Sequence, residues 1–96
     1  MTVEEVKKII IPILEKSAVA YAGIFGSVAR GVATKNSDVD ILVKFSGAPT
    51  FDAYIKLDED LRNSLGGDVD LITEGAVNKF MRPEIERDFK LIYGKR

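Results

Sequence analysis

Gly26-Ser27-Val28-Ala29-Arg30-Gly31-Val32-Ala33-Thr34-Lys35-Asn36-Ser37-Asp38-Val39-Asp40-Ile41-Leu42-Val43 is the stretch around which the rest of the chain is arranged. An apolar run, Tyr21-Ala22-Gly23-Ile24-Phe25, leads into its glycine–serine pair, and the residues after the pair suit a short helix. Ten residues after the pair, two aspartates separated by one valine head a second apolar run. Residues i and i+2 of a strand share a face, so Asp38 and Asp40 point one way and Val39, Ile41 and Val43 the other. Two like charges side by side at the edge of a core cost stability unless a cation lies between them.

The two halves of the stretch suggest complementary chemistry. Glycine lets the backbone approach a ligand closely, and Ser27 at a helix start offers a hydroxyl beside unpaired N–H groups, where the helix dipole favours a phosphate. Asp38 and Asp40 supply hard oxygen ligands suited to magnesium or manganese. Their Cα atoms, about 6.6 Å apart after two strand rises, allow the carboxylates to converge on metal ions about 3.5–4 Å apart. A phosphate cradle next to a carboxylate pair points to metal-assisted phosphoryl or nucleotidyl transfer. Arg30 has two readings, a contact to the phosphate or leaving group and a surface arginine paired with a nearby acid. Lys35 reads as solvated, in the turn-forming run Lys35-Asn36-Ser37.

Working outward, composition removes most other chemistries. The chain has no cysteine and no histidine, which excludes disulfides, thiolate nucleophiles, imidazole bases and the usual zinc sites. Catalysis must then come from carboxylates, hydroxyls, Lys, Arg or Tyr with a hard metal. A net charge of −1 gives no basic field for nucleic acid, which argues against a template-directed polymerase. Ninety-six residues, 46% apolar and 30% charged, are expected to form one globular domain over 1–96 with no second substrate-binding lobe. The run Ile9-Ile10-Ile11-Pro12-Ile13-Leu14 is too short to span a bilayer, and Glu4 and Glu5 precede it where a signal peptide carries positive charge. A cytoplasmic protein is expected.

Thr2 and Glu5 have capping-box spacing, so a first helix should start at Val3 with Val3, Val6, Ile10 and Ile13 on its buried stripe. Pro12 should kink or shorten its last turn. Val19 to Phe25 and Asp38 to Phe45 read as strands. Thr50 should cap a helix that turns Phe51, Tyr54, Ile55, Leu61 and Leu65 to the core and closes at Gly66-Gly67. That helix is a crossover to a third strand, Asp68 to Ile72, which favours an α/β sheet over a helical bundle. Thr73 to Met81 reads as a short helix or irregular connection. Pro83 fits the first position of a final helix whose stripe is Ile85, Phe89, Ile92 and Tyr93, ending at Gly94.

The pattern Gly26-Ser27, ten residues, Asp38-Val39-Asp40 resembles the nucleotidyltransferases of the DNA polymerase β superfamily, whose signature is Gly-Ser, ten residues, then Asp-x-Asp. The short length and the ending Arg82-Pro83-Glu84-Ile85 are similar to the minimal nucleotidyltransferases, or MNT proteins, several of which are antitoxins paired with a helical HEPN-domain ribonuclease toxin. The resemblance implies an α/β (α+β) fold, a small mixed β-sheet flanked by helices. It also implies a third carboxylate on a later strand, and the only apolar run offering one is Val69-Asp70-Leu71-Ile72. Asp68 and Asp70 share a face, but Gly67 places Asp68 in a turn, where aspartate is common, and Asp70 sits between apolar residues; Asp70 is chosen.

By this resemblance Asp38, Asp40 and Asp70 hold Mg²⁺ or Mn²⁺, and Asp70 also helps to deprotonate the attacking hydroxyl. Gly26 and Ser27 grip the phosphates of ATP, and Arg30 joins them in the first of its two readings. The implied activity is transfer of AMP to a hydroxyl, on a partner protein of the HEPN toxin type. Three alternatives stay open: adenylylation of a small molecule such as an aminoglycoside, a non-catalytic antitoxin acting by binding, and a purely structural metal site.

Overall fold

The capping box predicted at the start of the chain forms. Thr2 Oγ1 accepts the Glu5 amide at 3.1 Å and Glu5 Oε1 accepts the Thr2 amide at 3.2 Å. In the computed structural model, which describes residues 1–96, this opens helix α1, Val3–Lys16. It is followed by β1 (Val19–Phe25), α2 (Gly26–Arg30), β2 (Val39–Phe45), α3 (Phe51–Leu65), β3 (Val69–Thr73), a 3₁₀ turn (Glu74–Ala76), α4 (Arg82–Asp88) and β4 (Lys90–Gly94). No helix is long and apolar enough to cross a membrane.

The four strands make one mixed sheet in the order β3-β2-β1-β4. β1 runs antiparallel to both its neighbours, and β2 and β3 are parallel because α3 carries the chain back between them. Alternation along the strands sorts their side chains onto two faces. On the first, Ala22, Ile24, Val39, Ile41, Val43, Val69 and Leu71 pack against Val6, Ile10 and Leu14 of α1 and Leu57, Leu61 and Leu65 of α3. On the second, Phe25 and Leu42 pack under Ile85 of α4, with Ile72, Val77, Met81 and Phe89 around them. Each fully buried Leu or Ile stabilises the fold by about 1.5–3 kcal/mol relative to exposure.

Four expectations are corrected. Of the two outcomes expected at Pro12, shortening does not occur: α1 runs a further turn to Lys16, and Pro12 lies on the exposed side, where water can serve the carbonyl it frees. Phe51 and Ile55 face solvent, and Leu57 takes the core position instead. The strands begin one residue late, at Val39 and Val69, so Asp38 and Asp68 sit just outside them. The largest difference is at the C-terminal end. The helix started by Pro83 stops at Asp88, Phe89 turns extended, and Lys90–Gly94 forms β4 on the edge of β1. Pairing with β1 outweighs the helical spacing of Ile85, Phe89 and Ile92. Gly23 assists, since a Cβ there would run into the Phe89 ring and the Lys90 carbonyl.

Candidate active site

The functional stretch lies where β1 ends, α2 begins and β2 starts. Gly26 adopts φ +74°, a left-handed conformation that side chains disfavour, and a Cβ on it would collide with the Asp40 carboxylate. Gly26 is thus required twice, by its backbone and by its neighbour. Ser27, half-buried, follows in the first turn of α2, and the short helix closes at Gly31 (φ +76°). Val28 and Ala29 anchor α2 in the first core.

Asp40 sits opposite Phe25 of β1 on one side and opposite Asp70 of β3 on the other. Neighbouring strands lie about 4.8 Å apart, so the two acids stand next to each other on the second face of the sheet. Asp40 is half-buried, Asp70 and Asp38 are exposed. Burial pushes the Asp40 carboxyl up to about 6, and the negative charges of Asp70, Asp38 and Glu84 push the same way against Arg30. Asp68 lies in the turn before β3, 3.8 Å from Arg62, and is highly exposed.

The donor set fits a hard divalent cation: carboxylate oxygens alone, two of them paired across a ladder, with a glycine leaving the Asp40 oxygens uncrowded. As the side chains stand, no three acids converge into a metal-binding cluster.

Arg30 is committed to an acid. Its Nη1 donates to Asp88 Oδ2 at 2.7 Å, so the pairing reading is the one the structure displays. Asp88, at the end of α4, has a side chain only 4% exposed and also accepts from Arg87. Those bonds, Arg87's first and then Arg30's, hold its carboxyl below the usual range. The pair ties α2 to α4. Asp88 escaped the sequence reading, although an acid three residues after Ile85 and four before Ile92 lay on an apolar stripe and signalled a buried partner. Glu84, whose charge reaches Asp40, had no comparable signal.

Lys35 is exposed in a turn, in keeping with its sequence context. There the Thr34 amide donates to Ser37 Oγ at 2.9 Å and the Asn36 amide to Thr34 Oγ1 at 3.3 Å. A cleft of about 430 Å³ opens between this turn and Leu65–Asp68, floored by Val28, Val39 and Leu65, with Asp38 in its wall.

Residues 7–96 match the family model described as polymerase beta, nucleotidyltransferase. The chain belongs to the polymerase β nucleotidyltransferase family. Within that family it is 38% identical over 85 residues to a Methanocaldococcus jannaschii protein provisionally named protein adenylyltransferase MJ0435, covering 88% of this chain and 91% of the relative. It is 35% identical over 92 residues to protein adenylyltransferase MntA of Thermococcus cleftensis, covering 92% and 93%. Its fold superposes with a TM-score of 0.79, at 25% identity, on a chain of a toxin–antitoxin crystallised with AMP-PNP, covering 94% of this chain and 74% of that one. It shares its fold, at a TM-score of 0.73 and 21% identity, with a chain of the tri-AMPylated Shewanella oneidensis HEPN toxin in complex with MNT antitoxin, covering 96% and 72%. The chain is therefore a nucleotidyltransferase, and its mixed sheet is the polymerase β-like core that the family resemblance implied.

Proposed function

We propose that this nucleotidyltransferase moves AMP from ATP to a hydroxyl on a partner protein, a HEPN-type toxin that it thereby restrains as an antitoxin. The observation that carries the reading is the in-register pair Asp40–Asp70 beside the Gly26 turn. The nucleotide and the acceptor class are supported by relatives named protein adenylyltransferase over nearly their whole length, and by the AMP-PNP of the similar toxin–antitoxin. Such a pair of proteins would meet in the cytoplasm, where ATP is supplied.

The roles follow from placement. Asp38 and Asp40, with Asp70, are the residues that would hold Mg²⁺ or Mn²⁺, which supplies charge neutralisation on the triphosphate. Gly26 and Ser27 offer a backbone open to close approach and a hydroxyl donor for the β- and γ-phosphates. Arg30 keeps donors beyond the one given to Asp88, with a side chain 41% exposed, and is assigned to the same phosphates. Asp70, exposed at the start of an edge strand, lies where an acceptor can reach it. The acceptor oxygen forms a bond to the α-phosphorus, the bond from that phosphorus to the bridging oxygen of the β-phosphate breaks, and pyrophosphate leaves. The hydroxyl proton passes to Asp70.

Incubation of the chain and its co-purified partner with ATP labelled at the α- or the γ-phosphate tests this reading. Label on the partner from α-ATP alone, with a mass gain of AMP units, is the expected result. Label from γ-ATP would make the chain a kinase and overturn it; transfer only to free small molecules would replace the protein acceptor.

A further inference from the structure

β3 is an edge strand, and it carries the acid that the proposed reaction places next to the acceptor. Edge strands are held on one side only and are the first parts of a sheet to loosen. Yet Asp70 must stay in register with Asp40 for both carboxylates to serve one cation. What holds the outer side of β3 is therefore a functional question.

The ladder settles which groups face outward. The Val39 amide donates to the Asp68 carbonyl at 3.1 Å, so the backbone of residues 68, 70 and 72 faces β2. The carbonyls of Val69 and Leu71, one on each side of Asp70, face away from the sheet. Neither is left to solvent. Tyr54 donates its hydroxyl to the Leu71 carbonyl at 2.6 Å, and Arg62 donates Nη2 to the Val69 carbonyl at 2.6 Å. Both side chains come from α3, about two turns apart. Arg62 is itself aimed by Asp58, which accepts from its Nε at 2.9 Å.

We propose that Tyr54 and Arg62 are positioning residues: together they clamp the backbone on both sides of Asp70 and hold its carboxylate in register with Asp40. The inference rests on the reading of Asp70 as a metal ligand. Two bonds straddling one acid serve this better than they serve attachment of α3, which Leu57, Leu61 and Leu65 already fix to the sheet. The same bonds occupy the outward acceptors that a foreign strand would need, so the clamp also closes this edge to strand addition.

The test has two readouts on the full chain. The first is hydrogen exchange of the Asp70 and Ile72 amides, which face β2. Tyr54→Phe, which keeps the ring, should speed it by about five- to tenfold, the equivalent of one lost hydrogen bond, and Tyr54→Phe/Arg62→Met, which loses both bonds, should speed it further. The second is Mn²⁺ titrated into the chain saturated with AMP-PNP and followed by electron paramagnetic resonance. The double variant should weaken the Mn²⁺ site that needs Asp70 by about tenfold, while AMP-PNP affinity in excess Mg²⁺ stays within about twofold. Arg62→Lys, which retains a donor of similar reach, should recover most of the loss. Lys56→Met, which breaks only the Lys56–Asp60 pair on the same helix, should move neither readout. Faster exchange with Mn²⁺ binding at parental strength would reduce the clamp to a structural staple and overturn the proposal, as would no change in either readout. Asp70→Asn separates the two levels: if it too binds Mn²⁺ as the parent does, the ligand assignment itself fails.

Discussion

The two faces of β2 and β3 show how one pair of strands serves stability and chemistry at once. On the first face Val39, Ile41, Val43, Val69 and Leu71 are all buried beneath α1 and α3. On the second face the same strands carry Asp40 and Asp70 at their start and apolar Leu42 and Ile72 only farther along, under α4. The first face stabilises; the start of the second opposes it with neighbouring negative charges. A sheet can present a repelling pair of acids because the alternating residues behind them are fully committed to a core.

That contrast can be broken most severely from the apolar side. Ile41 is fully buried, and Ile41→Ala should cost about 2–5 kcal/mol, read as a lower denaturant midpoint. On the second face, Ser27→Ala should leave the fold intact and weaken AMP-PNP binding by about ten- to a hundredfold, the worth of one hydrogen bond to a charged group. Calorimetric titration with Mg²⁺ present checks it. A smaller effect appears in the pH dependence of metal-free stability. The Asp40 carboxyl titrates near 6 in the fold, above its ordinary 3.8, so its protonated form favours folding. Its contribution is fully present below about pH 3.8 and is lost as pH rises through about 6. Asp40→Asn should therefore match the parent near pH 3.5 and melt above it at pH 7, in EDTA. The smallest effect belongs to Asp68→Asn, which should change neither stability nor transfer measurably, whereas Asp70→Asn should cut turnover far more than ATP affinity.

How far the sequence could be read follows the same division. Local signals sufficed for the capping box, the Gly26 turn, the strand carrying Val39 to Phe45 and the α3 crossover, because each is fixed by residues within a few positions. The alternation that turns Val39 and Ile41 inward also made the acids conspicuous. The strand Lys90–Gly94 was not legible: the apolar spacing around it suits a helix, and only the unpaired edge of β1, far away in sequence, makes it a strand. The Arg30–Asp88 pair and the bonds from Tyr54 and Arg62 to β3 are likewise settled by how α2, α3 and α4 come to lie, information that no short window contains. Phe51 and Ile55 fit the helical stripe on paper, yet both stay exposed while Leu57 is buried.

The central claim is that the acids at the start of β2 and β3, Asp38 among them, are there for reaction and at the expense of stability. It is tested most directly by the double variant Asp38→Asn/Asp40→Asn, measured for AMP transfer to the partner and for thermal unfolding in EDTA. The account predicts that transfer is abolished while the melting temperature stays equal or rises, since neutral amides no longer repel one another. A large fall in melting temperature, or transfer that survives the loss of both carboxylates, would contradict it.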